Sequence, residues 1–220
     1  NLTIASVNYV DSAGATVAGV VLDAADIVTI TGEAGTNAIT GAPTVINIMT
    51  GGDGVDTITG NTGGDFIQGS ATGDGSDADV MIGGAGNDTY SFLTASAANN
   101  LITETSGTDT LLVGASVSLA NLEIGADNTG GASTDLIGGT AALQVEQIVI
   151  GNGLTATFDA AQLTGNALAV NVANGGTAAN LTVGTATGGG AADLSNLTIA
   201  SVNYVDSAGA TVAGVVLDAA

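Results

Sequence analysis

Lysine, arginine, histidine, cysteine and tryptophan are all absent from this 220-residue chain. Without cysteine there is no disulfide and no thiol redox chemistry. Without cysteine or histidine, zinc and copper lack their usual ligands. Most nucleophile and general-base pairings also disappear once His, Cys and Lys are missing. The 21 Asp and Glu residues leave a formal charge of −21 that no internal cation offsets. Such a chain repels phosphates, which excludes nucleic acid as a partner and disfavours anionic membrane surfaces. Apolar runs such as 16–22 are far too short to span a bilayer, so no membrane insertion is expected. The composition invites a cation, and that cation must come from solution.

What is present suits thin, stacked layers. Apolar residues make up 45% of the chain and are nearly all Ala, Val, Ile and Leu, with 35 Gly and only three Phe and three Tyr. That is too apolar for a disordered chain and too poor in rings for an ordinary bulky core.

Two repeats are nested. Residues 1–25 recur letter for letter as residues 196–220, an offset of 195, so the chain holds one full unit and the start of the next. Arrays of such units are the expected architecture. Inside the unit, GGDGVDTIT at 51–59 and GGAGNDTYS at 83–91 fit the nonapeptide G-G-x-G-x-D-x-U-x, where U is a large apolar residue. Between them GNTGGDFIQ keeps Gly60, Gly63, Asp65 and Ile67. The sixth-position acids are Asp56, Asp65, Asp79 and Asp88, with Asp74 and Asp77 in a longer turn over 69–79. Weaker copies place Asn37 and Asn47 in the acid position, then Asp109 in ETSGTDTLL and Asp135 in GGASTDLIG. These two acids lack strong neighbouring turns and read as a solvated face. Elsewhere, short strands are expected at 144–150, 167–172 and 181–183, a hairpin at 7–22 with its loop at 11–15, and a short helix within 93–100.

Each part of the nonapeptide has a physical task. Glycines turn the backbone sharply, the Asp offers a hard oxygen ligand, and x-U-x is a minimal strand with its apolar residue inward. Two units, about 18 residues, make one coil, and coils stack at ~4.8 Å. Stacking sets Asp56 near Asp79 and Asp65 near Asp88. Unit charges about 5 Å apart repel by about 3 kcal/mol at an effective dielectric near 20. Calcium accepts six to eight oxygens in irregular geometry and suits such turns better than magnesium.

The block from GGDGVDTIT to GGAGNDTYS resembles the RTX calcium-binding repeats of secreted bacterial proteins, and GGAGNDTYSF followed by ETSGTDTLLV resembles the way such blocks end. The strong likeness covers 51–92 and weaker copies run from 32 to 138. Phrases such as VEQIVI and ANLTV look like the body of RTX-type S-layer and giant surface proteins. The resemblance implies an all-β, right-handed parallel β-roll or β-solenoid with calcium-binding turns, in a tandem array of 195-residue units. It implies Ca2+ shared between a turn and the turn one coil later. One site would use Gly51, Asp53, Asp56 and Asp79, aided by Asp74 or Asp77; a second would use Asn61, Asp65, Gly83, Gly84 and Asp88. It also implies type I secretion.

On this reading, residues 1–50 are opening strands and a hairpin, 51–92 the calcium-binding β-roll, 93–195 an irregular continuation, and 196–220 the start of the next unit. At roughly 18–20 residues per coil the unit would hold about ten or eleven coils over about 50 Å. The expected role is structural: a calcium-dependent, self-associating unit of an extracellular bacterial filament, sheath or S-layer, or else the stalk of a giant adhesin. Partners are identical repeats and neighbouring chains, with cell-surface polysaccharide as a further candidate. Glu33, Glu104, Glu123 and Glu146 could in principle pair for glycoside hydrolysis. None sits in an informative motif, and no enzyme is expected. A flat ice-binding ladder of Thr29, Thr31, Thr40, Thr57 and Thr59 competes with the plain fact that Thr favours strands.

Overall fold

In the computed structural model of the chain, the described residues are 2–3, 7–10, 16–20, 26–70, 77–93, 100–120, 122–124, 145–163, 168–173, 179–184, 194–199, 203–205 and 211–212. Asp74 and Asp135, the hairpin loop 11–15 and most of the stretch expected to be helical at 93–100 lie outside them.

The chain opens with β1 (Leu2–Thr3) and the strands β2 (Val7–Val10) and β3 (Thr16–Val20). It then winds between two sheets. Strands β4 (Ile27–Thr31), β6 (Ile46–Thr50), β8 (Phe66–Gln68), β10 (Thr89–Phe92) and β12 (Asp109–Val113) build a long sheet. The alternating strands β5 (Ala38–Thr40), β7 (Thr57–Asn61), β9 (Val80–Gly84) and β11 (Leu101–Thr103) build a shorter one, which β1 joins beside β5. Every pairing within these two sheets is parallel. This is a β-solenoid of about 5 turns, consistent with the right-handed β-roll that parallel crossovers favour.

Beyond β12 the coils lengthen and the partner sheet changes. β13 (Val117–Ser118) belongs to a third sheet and β14 (Glu123–Ile124) still to the short one. From there β15 (Val145–Ile150), β17 (Ala169–Val172) and β19 (Thr198–Ile199) extend the long sheet. The third sheet takes β16 (Thr155–Asp159), β18 (Asn180–Gly184), β20 (Asn203–Val205) and β21 (Thr211–Val212). Between β16 and β17 lies a four-residue helix, α1 (Ala160–Leu163), which the sequence did not announce. The long sheet holds eight strands among the described residues. At ~4.8 Å per strand these span about 34 Å, less than the 50 Å expected. The later coils consume more residues: Glu146 stands 37 residues after the residue it stacks upon.

The expected strands near 144–150, 167–172 and 181–183 are present as β15, β17 and β18. The hairpin is present too, β2 running antiparallel to β3 with Tyr9 opposite Val17 and Val10 opposite Thr16.

Parallel in-register stacking places like upon like. On the short sheet Ile39, Ile58, Met81 and Ile102 are successive partners, and on the long sheet the order is Ile30, Met49, Ile67, Tyr90, Leu111, Ile148 and Val170. All of these side chains are buried. The two columns meet inside the coil and form its core, as the inward U positions predict.

Candidate metal centre

The sixth-position residues form two ladders along the solenoid. In the first, the Asn37 N–H donates to Asp56 Oδ1 (2.6 Å), the Asp56 N–H to Asp79 Oδ1 (2.9 Å) and the Asp79 N–H to Asn100 Oδ1 (2.9 Å). In the second, Asn47 donates to Asp65 Oδ1 (2.7 Å), Asp65 to Asp88 Oδ1 (2.7 Å), Asp88 to Asp109 Oδ1 (2.8 Å) and Asp109 to Glu146 Oε2 (2.6 Å). The carbonyls of Asn37, Asp56, Asp65, Asp79 and Asp88 also accept from the residue after the next rung, as Asp65 does from Thr89 and Asp88 from Thr110. A rung therefore uses one side-chain oxygen to secure the backbone of the coil before it. Those that end on a carboxylate are charge-assisted, a class that contributes roughly 1.5–3 kcal/mol each, whereas Asn100 offers the Asp79 N–H a neutral amide oxygen.

This use of one oxygen fixes what the other can do. At the Asn rungs the remaining atom is an amide nitrogen. Asn47 Nδ2 reaches the carbonyls of Ala42 (3.0 Å), Val45 and Gly60 (both 3.3 Å), and Asn37 Nδ2 those of Glu33, Gly35 and Gly51. At the Asp rungs that position holds a second carboxylate oxygen, which cannot donate. Asp56 Oδ2, Asp65 Oδ2 and Asp88 Oδ2 are buried with no hydrogen-bond partner among the described residues. They press against glycines: a Cβ on Gly51 would collide with Asp56 Oδ2 and the Gly69 carbonyl oxygen. One on Gly60 would meet Asp65 Oδ2 and the Gly83 carbonyl oxygen. Acceptor faces acceptor at both places.

A third cluster lies one coil on. Carboxylate oxygens of Asp88, Glu104 and Asp109 come within 4.8 Å of one another, all three residues buried. The Tyr90 hydroxyl donates to Glu104 Oε1. Burial, reinforced by the neighbouring carboxylates, lifts Asp88 to about 7 and Glu104 to about 8. Burial, with Glu146 adding to it, lifts Asp109 to about 6. Burial likewise raises Asp65, against the bonds it accepts from Asn47. The Tyr90 hydroxyl is pushed above its usual range by burial and by Glu104.

The stacking expected of Asp56 on Asp79 and of Asp65 on Asp88 is therefore present. Around the first pair, Gly51 is buried, Asp53 is exposed, and the Asp77 carboxylate accepts the Gly54 N–H (2.9 Å). Around the second, Asn61 holds a left-handed backbone (φ 101°) and donates Nδ2 to the Gly41 carbonyl (2.6 Å). Its own carbonyl lies where a Cβ on Gly84 (φ 103°) would sit, and Gly83 backs Asp88 Oδ2. Two sequence readings need correction. Asp109 is not on a solvated face: it is 1% exposed and forms the next rung after Asp88. Glu104, set aside as uninformative, is 1% exposed and closes the third cluster.

The donor set fits a hard cation. It consists of carboxylate, carbonyl and hydroxyl oxygens without nitrogen or sulfur, which is the ligand class calcium takes. No family model, curated protein or solved structure matches the chain.

Proposed function

We propose that this chain is a calcium-loaded structural unit of an extracellular bacterial surface assembly, a filament, sheath or S-layer, built from tandem copies. One observation carries the reading: three buried carboxylate oxygens, on Asp56, Asp65 and Asp88, that no donor among the described residues meets. An unpaired buried ionised carboxylate is among the costliest groups a fold can hold, and a chain with no Lys, Arg or His cannot supply the counter-charge itself. Cations at separate sites would resolve them: one held by Asp56 and one by Asp65, each with neighbouring turn carbonyls, and one by Asp88 with Glu104 and Asp109. The metal would neutralise stacked charge and tie adjacent coils, and no catalytic step belongs to this reading. Repeated units suit a fibre or lattice, where the same interface recurs at every step.

The test is folding coupled to metal. Chelator should weaken the β-sheet circular dichroism of the chain and lower its melting midpoint, and millimolar calcium should restore both, with magnesium far less effective. A spectrum and melting midpoint indifferent to chelator and to calcium would refute the proposal.

A further inference from the structure

Residues 1–25 and 196–220 share one sequence but occupy two different seats. In the first copy, β1 pairs with β5 of the short sheet, Leu2 opposite Ile39 and Thr3 opposite Thr40. In the second, the equivalent strand β19 pairs with β17 at the far end of the long sheet, Thr198 opposite Ala169 and Ile199 opposite Val170. The Thr198 N–H donates to the Leu168 carbonyl (2.9 Å), and Leu197 and Ile199 pack on the hydrophobic core. The same segment thus edges the short sheet in its first copy and the long sheet in its second.

The hairpin repeats the pattern. Both copies fold it in one register: Tyr9–Val17 and Val10–Thr16 correspond to Tyr204–Val212 and Val205–Thr211. Among the described residues the second copy alone is seated, with β20 parallel to β18 through Asn180–Asn203, Leu181–Tyr204 and Thr182–Val205. The first copy forms a two-stranded sheet of its own. Isolated two-stranded hairpins are marginal, and an open strand edge is a template for pairing.

We propose that the 25-residue segment is the joint between units, and that the end of the solenoid at β17 and β18 is a docking surface for residues 1–25 of another copy. A joint strand using both seats would run the long sheet of one unit into the short sheet of the next, while its hairpin extends the third sheet. The inference uses the duplication and the pairings alone, and stands whether or not the ladders hold metal.

The test compares the full chain with a chain of residues 1–195 in calcium-containing buffer, by sedimentation and by thiol cross-linking in a protein that has no native cysteine. The full chain carries its own joint on β17 and β18 and should sediment as a monomer. Asn180→Cys with Asn203→Cys should link within one chain. The 1–195 chain should associate head to tail. In it, Asn8→Cys with Asn180→Cys should give covalent multimers in steps of one unit, because Asn8 is the equivalent of Asn203. An equimolar synthetic peptide of residues 196–220 should abolish that ladder. Tyr204→Pro in the full chain, which removes an N–H from the seated strand, should induce the same association. A folded, monomeric 1–195 chain overturns the proposal, as do dimers lacking the 8–180 link. Loss of β-structure in both variants that the peptide does not repair overturns it as well.

Discussion

Asp65→Asn should reverse the sign of its effect on stability according to whether calcium is present. The substitution keeps Oδ1, so the N–H of Asn47 retains its acceptor. It replaces the unpaired Oδ2 with an amide facing the Gly83 carbonyl, the arrangement that Asn47 already displays one coil earlier. Leaving a buried polar atom unsatisfied costs about 1–3 kcal/mol, more when charged, and a new neutral hydrogen bond contributes about 1 kcal/mol. In chelator, Asp65→Asn should therefore stabilise the chain by roughly 2–4 kcal/mol, and about 2 kcal/mol corresponds to a rise of roughly 4–8 °C in midpoint at this size. In calcium the balance turns. A site occupied at a hundred times its dissociation constant contributes about 2.7 kcal/mol, and the variant forfeits it.

Urea titrations of both proteins, in chelator and in calcium, read the two differences directly. If the acid were only a surface charge, neither condition would matter. If Asp65 served the ladder alone, the variant would be more stable in both conditions. Destabilisation in chelator would refute the account of Oδ2, because it would mean that the oxygen already has a donor.

Three further outcomes are expected. In chelator, stability should fall as pH climbs from about 4 to about 8: Asp88, Glu104 and Asp109 hold protons when folded up to about 7, 8 and 6, whereas the unfolded chain sheds them near 4. The stabilising effect of these raised groups is complete at the acid end and lost as pH passes the folded values; a flat or rising profile by chemical denaturation contradicts the burial of the cluster. Glu104→Gln should lower calcium occupancy in calorimetric titration while Glu33→Gln, on an exposed turn, leaves it unchanged. Ile67→Ala removes a fully buried member of the long-sheet column between Met49 and Tyr90 and should cost about 2–5 kcal/mol in denaturant titration in either condition.

The phase of the nonapeptide was legible because a strand has period two and a coil repeats its turns. That was enough to align Asp56, Asp65, Asp79 and Asp88, and to set Asn37 and Asn47 at the same phase. Which oxygen each acid would have to spare was not legible, since the backbone bond to Oδ1 forms between coils. Glu104 and Asp109 were misread for a related reason. They meet Asp88 only when the coil runs 21 residues, as the step from Asp88 to Asp109 does, and not the 18 that separate Asn47 from Asp65. The change of partner sheet after β12 leaves no trace in the motif at all, because the strands there are spaced by turns of unequal length.

On the proposed reading, the order of Asn and Asp along each ladder sets where metal is needed. Asn satisfies its own turn with an amide, so the coils at Asn37 and Asn47 are self-sufficient. Asn100 plays the accepting role at the far end of the first ladder. The demand for a cation falls on the coils between, where Asp follows Asp. A solenoid folds by adding coils to a formed neighbour, and the Asn coils are the ones able to stand first. If calcium fills these sites it would govern propagation through Asp56, Asp65, Asp79, Asp88 and Asp109, and its removal should open the middle of the unit before the edge at Asn37 and Asn47. Hydrogen exchange in chelator should show the amides of Thr89 and Thr110, which bond to the Asp65 and Asp88 carbonyls, losing protection while that of Gly32, bonded to the Thr50 carbonyl between the Asn coils, persists. Simultaneous loss at all three would show that the ladder melts as one piece, and the assignment of metal dependence to the Asp rungs would be wrong.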